Sequence, residues 1–159
     1  GGAWRTFVFI RDTASYDRCS GADQAFETAR AFGWFQAQLA DLPAGKLGET
    51  IPRYLSSPHR YEQFRSALSS ASNERRRSAG AAIDFARRRQ PMVSVMAGHL
   101  DSGAIPTRVV HGDTKLNNIL FDQATGKARS IIDLDTCMAG YSLYDSLIIA
   151  AAQFFNQQN

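Results

Sequence analysis

The chain has 159 residues, of which 44% are hydrophobic and 21% charged, and its formal net charge is +3. That length holds one domain with a real core and is short for two. The balance is an ordinary soluble globular one, compatible with an anionic ligand such as a nucleotide; it excludes a highly basic nucleic-acid scaffold and a low-hydrophobicity disordered chain.

The longest apolar run, Leu147 to Ala152, is far short of a bilayer span, and no charged segment followed by an apolar core reads as a secretory signal. The expected compartment is therefore cytoplasmic, with no membrane partner. Cys19 and Cys137 follow no metal-ligand or disulfide spacing and read as reduced thiols. Both ends of the sequence read as cut rather than finished.

Trp4-Arg5-Thr6-Phe7-Val8-Phe9-Ile10 is rich in aromatic and β-branched residues and reads as a strand, followed by a loop at residues 12–15. Ser20, with Asp23 three residues on, reads as the start of a helix running to about Asp41. Its apolar positions Ala22, Ala25, Phe26, Ala29, Phe32 and Leu39 form the expected buried stripe, and Pro43 and Gly45 end it. Ser57-Pro58 opens a second helix with Tyr61, Phe64 and Leu68 inward, because proline lacks only an N–H that the first turn leaves unpaired anyway. A third helix covers roughly Ala79 to Arg89, and Pro91 opens a fourth to about Asp101, closed by Ser102-Gly103.

Beyond that the pattern shortens. Thr107 to Val110 reads as a strand, and Asn118 to Phe121 pairs with Arg129 to Asp133 as a hairpin across the turn-rich residues 122–127. A last helix starts near Tyr144.

The loop before the hairpin, HGDTKLNN at residues 111–118, places a carboxylate, an ammonium and a carboxamide within six residues. The hairpin returns Asp133 toward Asn118, so one charged and one neutral oxygen are expected to lie together. That pair suits Mg²⁺, a hard cation that keeps its remaining positions for water and phosphate. Asp113 is then free to accept a hydroxyl proton while that oxygen attacks phosphorus. In an extended loop Lys115 shares a side with Asp113, where it neutralises charge on the transferred group. Base, cation and metal ligands in this order describe phosphoryl transfer to an alcohol.

These residues resemble the catalytic loop of the kinase-like superfamily. The Gly after His111 and the IIDLDT of residues 131–136 resemble its aminoglycoside phosphotransferase branch. Residues 25–43, Ile51-Pro52 and the DTKLNN/IDLDT pair look most like N-acetylhexosamine 1-kinase and its relatives.

The resemblance implies an α+β fold: a mainly helical, protein-kinase-like large lobe with a catalytic-loop hairpin and one remnant small-lobe strand. Residues 1–12 would end the small lobe and form the hinge; residues 13–159 would be a partial large lobe, with catalytic loop 111–118 and metal-binding segment 131–136. It implies ATP and Mg²⁺ as cofactors, Asp113 as base, Lys115 as phosphate contact, and Asn118 and Asp133 as metal ligands. His111 and Asp145 become structural supports of the loop, and Phe9, Ile10 and Arg11 the adenine contact. The partners implied are a nucleotide and a small hydroxylated substrate, first a sugar such as an N-acetylhexosamine, with an aminoglycoside or amino-alcohol as alternative. An inactive binding module is the alternative of another class.

The family's Gly-rich loop and strand lysine have no counterpart here, so this stretch alone is expected to turn over little or nothing. The family's Phe-Gly-Asp after Tyr144-Asp145 is replaced by Ser146-Leu147-Ile148. Asp135 reads as an outer or accessory carboxylate on the strand face of Asp133, His59 and His99 as surface or boundary histidines, and Cys137 as packing. The Arg75–Arg77 and Arg87–Arg89 triplets read as solvated helix faces rather than a nucleic-acid site.

Overall fold

The computed structural model of the chain describes residues 4–95, 98–99 and 102–146. After strand β1 (Thr13–Ala14) come helices α1 (Ala22–Gln38), α2 (Ser57–Ser70), α3 (Asn73–Ser78) and α4 (Gly80–Arg88). Strands β2 (Thr107–Val110), β3 (Ile119–Asp122), β4 (Ala128–Ile131) and β5 (Met138–Tyr141) follow, and residues 142–146 are helical. Two small antiparallel sheets result, one ordered β1-β3-β4 and one pairing β2 with β5. Among the described residues no helix is long and apolar enough to cross a membrane.

The helix starts follow local chemistry. Ser56 Oγ accepts the N–H of His59 at 3.3 Å and Pro58 sits in the first turn of α2; Ser72 Oγ accepts from Arg75 in the same way at the head of α3. At α1 the expected cap shifts by one residue. Gly21 is the N-cap, and Ser20 donates through its N–H and its hydroxyl to Gln24 Oε1, at 2.7 and 3.1 Å. The fourth helix expected over residues 91–101 lies partly outside the described residues; Gln90–Met92 forms a single 3₁₀ turn there.

The hairpin β3–β4 pairs Ile119 with Ile131 and Leu120 with Ser130. Its turn is set by Asp122, whose Oδ1 accepts the N–H groups of Ala124 and Thr125 at 3.1 and 2.9 Å. Phe32, Ala31, Leu116, Ile119 and Phe121 form the buried core where α1 lies on this hairpin. Each large apolar side chain sunk there stabilises by about 1.5–3 kcal/mol.

Three expectations are corrected. Residues 4–11 adopt no regular structure, and Trp4, Phe7, Val8 and Phe9 are exposed. A strand needs a ladder partner for its N–H and C=O groups, and among the described residues none pairs with this segment, so the remnant small-lobe strand is not formed. The buried face of α1 is Glu27, Thr28, Ala31 and Phe32, while Phe26 is 64% exposed.

That rotation is stabilised because its polar members are satisfied. Glu27 accepts from Lys127 Nζ at 2.9 Å, Arg30 Nη2 at 2.6 Å and the Ala128 N–H at 3.2 Å, and Thr28 Oγ1 donates to Gln24 O at 2.7 Å. Third, the strand expected through Asp133 stops at Ile131. Asp133 is left-handed (φ 61°, ψ 60°) and Leu134–Thr136 coils into a 3₁₀ turn, so Asp133 and Asp135 share no strand face.

Candidate active site

The loop between β2 and β3 is held from beneath by a buried carboxylate. Asp145 Oδ2 accepts the backbone N–H of His111 at 3.0 Å, and Oδ1 accepts that of Gly112 at 3.1 Å. Gln36 Nε2, from α1, also donates to Asp145 Oδ2 at 2.9 Å and to Ser142 O at 3.1 Å. Thr114 Oγ1 donates to the Asp145 carbonyl at 3.0 Å and Thr136 Oγ1 to the His111 carbonyl at 2.8 Å. A buried charge with this many donors is compensated rather than stranded.

Gly112 permits the turn: its φ is +80°, and a Cβ there would lie 2.9 Å from Thr136 O. The His111 ring is buried between Phe32 and Phe35, both edge-on at 5.3 and 5.7 Å between centroids. Its Nδ1 accepts the Asp113 N–H at 3.3 Å, so Nε2 carries the proton and donates to Ile132 O at 3.0 Å. His111 thus ties the loop to the segment leading into Asp133.

Asp113 lies on the rim with its side chain 28% exposed. Its Oδ2 receives Lys115 Nζ at 2.7 Å and Asn118 Nδ2 at 3.1 Å, and Asn118 Nδ2 also donates to Asp113 O at 2.8 Å. Among the described residues no donor reaches Asp113 Oδ1. Lys115 shares the side of Asp113 through a three-residue turn closed by Lys115 N–H to Asp113 O at 2.9 Å, not through an extended loop. Asp113 holds the Lys115 ammonium above the usual lysine range; partial burial opposes this, and Asp133 and Tyr54 nearby add to it.

Asn118 is buried, and its Nδ2 is spent on Asp113, which leaves Oδ1 as its acceptor. Its carbonyl takes the Ile132 N–H at 2.9 Å, so Asp133 is the residue directly after Asn118's cross-strand partner. Asp133 is exposed and in a left-handed conformation that costs a non-glycine residue energy, the kind of strain that gathers at functional loops. Among the described residues no three His, Cys, Asp or Glu side chains converge on one point. A carboxylate and an amide oxygen are nonetheless the hard donor pair that Mg²⁺ takes when phosphate completes its shell.

The profile of the Phosphotransferase enzyme family, APH, matches residues 3–159. The chain belongs to that family. As an APH phosphotransferase it is a kinase-type enzyme by descent, of a family that acts on small molecules.

Other expected positions have partners outside residues 111–118. Ile10 O accepts Thr13 Oγ1 at 2.8 Å, Arg11 O accepts Arg129 Nη1 at 3.2 Å, and Phe9 is 83% exposed. Among the described residues no hydrogen bond joins these three to residues 111–118. Asp135 is paired with Arg5. Burial pushes the Cys137 thiol up to about 11, reinforced by Asp145, Asp133 and Asp135.

Sequence reasoning passed over Gln36, a helix glutamine without any local signal, and the two threonines that lace the loop. Thr114 stood in view inside HGDTKLNN; only its bond to the Asp145 carbonyl gives it meaning.

Proposed function

We propose that this chain carries the catalytic loop of an ATP- and Mg²⁺-dependent kinase that phosphorylates a hydroxyl group of a small molecule. The observation that carries the reading is the Asp113 carboxylate. One of its oxygens is fixed by Lys115 and Asn118, and the other is open on the rim. A hydroxyl hydrogen-bonded to Oδ1 has a base aligned for its proton as its oxygen attacks phosphorus.

Lys115 lies against Asp113 Oδ2 and is long enough to turn its ammonium toward phosphoryl oxygens. Asn118 Oδ1 and the Asp133 carboxylate are the residues that would hold Mg²⁺. When bound, the metal–nucleotide supplies the transferable phosphoryl group and neutralises its charge. Buried Asp145 and His111 keep the loop backbone in place, so the base does not have to be organised during the reaction.

The acceptor is assigned to the sugar class, N-acetylhexosamines first, on the resemblance of residues 25–43 and Ile51-Pro52 to kinases of such sugars. The adenine contact expected at Phe9, Ile10 and Arg11 has less support, because two of the three carbonyls already accept from Thr13 and Arg129.

The test is Asp113→Ala in the intact protein. Phosphoryl transfer falls roughly 10²–10⁴-fold, the usual weight of a positioned base, while nucleotide binding persists. Unchanged turnover refutes the assignment.

A further inference from the structure

We infer that the cavity between residues 49–58 and β5 is an acceptor pocket for an uncharged, polyhydroxylated ring, with Tyr54 as its specificity-determining residue. This rests on the kinase reading above. The cavity encloses about 450 Å³, inside the ~300–1,000 Å³ range of small-molecule sites. Its walls carry Glu49, Arg53 and Tyr54 on one side and Met138, Tyr141 and Tyr144 on the other.

The β5 wall is tied to the segments that flank the catalytic loop. Met138 pairs with Val110, the residue before His111, and Tyr144 precedes Asp145. Tyr54 lies in the neighbourhood of the Lys115 ammonium, whose Nζ is 2.7 Å from Asp113 Oδ2.

The loop presenting Tyr54 is built rather than loose. Arg53 is left-handed (φ 56°), and its N–H donates to Glu49 Oε1 at 2.7 Å. The Tyr54 carbonyl accepts Arg60 Nε and Nη2 at 3.1 and 2.9 Å, and the Arg60 guanidinium lies 5.5 Å from the Tyr54 ring centroid. A strained residue held by this many bonds fixes the ring beside it. Opposite, Tyr141 and Tyr144 pack at 5.7 Å between centroids with planes at 56°.

The lining chooses between acceptor classes. Its described residues include one carboxylate, Glu49, and one guanidinium, Arg53. A polyamine would lose the hydration of several ammonium groups against a single acid, which is strongly unfavourable. A quaternary ammonium needs several ring faces turned on one point. Here Arg60 occupies a Tyr54 face, and Tyr141 and Tyr144 pack against each other. A sugar ring needs apolar area for its C–H face and hydroxyls at its edge, which the tyrosines, Ser56 and Ser57 offer.

The experiment is saturation-transfer NMR on the intact protein with N-acetylglucosamine, kanamycin A and choline as probes, joined to steady-state kinetics. N-acetylglucosamine receives saturation, and kanamycin A and choline do not. Tyr54→Ala raises the KM for the sugar roughly tenfold, leaves the KM for nucleotide unchanged and weakens the sugar signal. Should that variant fail to fold, Ser57→Trp fills the pocket from an exposed position and abolishes the signal. Binding of kanamycin A or choline without the sugar, or a sugar KM indifferent to both substitutions, overturns the inference. Tyr54-dependent sugar binding without transfer to any acceptor leaves the pocket standing and removes the kinase reading. Asp113-dependent transfer indifferent to Tyr54 does the reverse.

Discussion

Asp145 Oδ1 accepts the backbone N–H of Gly112 at 3.1 Å, while its second oxygen takes the N–H of His111 at 3.0 Å. One buried carboxylate therefore fixes two successive peptide groups just ahead of Asp113. In Asp145→Asn, one of these N–H groups, or Gln36, meets an amide N–H₂ instead of an acceptor. Stability drops by about 1.5–3 kcal/mol, the weight of a hydrogen bond to a buried charge, read as a lower denaturation midpoint at constant slope. A change within about 0.5 kcal/mol would make the contact incidental.

Gly112→Ala meets two obstacles together, a φ of +80° and a backbone oxygen 2.9 Å from the new Cβ. The loop must shift, at a cost of about 1–3 kcal/mol. The melting temperature falls by about 2–4 °C for each kcal/mol in a chain of this size. An unaltered melt would show that the loop yields freely.

Glu27 docks α1 on the hairpin. Its hydrogen bonds from Arg30 and Lys127 lower its pKa from 4.5 to about 2 against the opposing effect of burial. Because the folded value lies below the unfolded one, its contribution is fully present above pH 4.5 and is lost as pH falls from 4.5 through about 2. Urea titrations across that window should show stability declining with acid, with a flatter decline in Glu27→Gln. Equal slopes in the two proteins would contradict this.

Cys137 sits close to the site, yet burial, joined by three nearby aspartates, raises its thiol to about 11. Little thiolate exists at pH 8, so native alkylation by iodoacetamide is slow by mass spectrometry. Cys137→Ser leaves turnover within about twofold, as suits a residue outside the chemistry. Rapid modification, or loss of transfer in the serine variant, would place the thiol in the mechanism.

Much of the local architecture was legible. The proline and serine at the head of α2, the helix expected over roughly residues 79–89, the strand expected at Thr107 to Val110 and the turn residues between β3 and β4 each correspond to an element found in the structure. The pairing of β5 with β2 had no such mark, since Met138-Ala139-Gly140-Tyr141 lacks strand composition. It forms because Gly140 admits the close approach of Val110, where a Cβ would lie 2.5 Å from Val110 Cγ2. In the site, HGDTKLNN displayed its polar groups and the spacing put Lys115 on the side of Asp113, but the tight turn that closes their ion pair and the role of Gln36 did not follow from spacing.

The sequence by itself determined what acts over a few residues: caps, turns, helix periods, and a loop in which acid, ammonium and amide must be neighbours. Only the tertiary structure decided which face of α1 is buried, that residues 4–11 find no ladder among the described residues, and that Gln36 joins Asp145 beneath the loop. Those outcomes depend on partners far along the chain, Lys127 for Glu27 and Gln36 for Asp145. A buried charge is stable only where such distant donors converge, and no local pattern specifies that convergence.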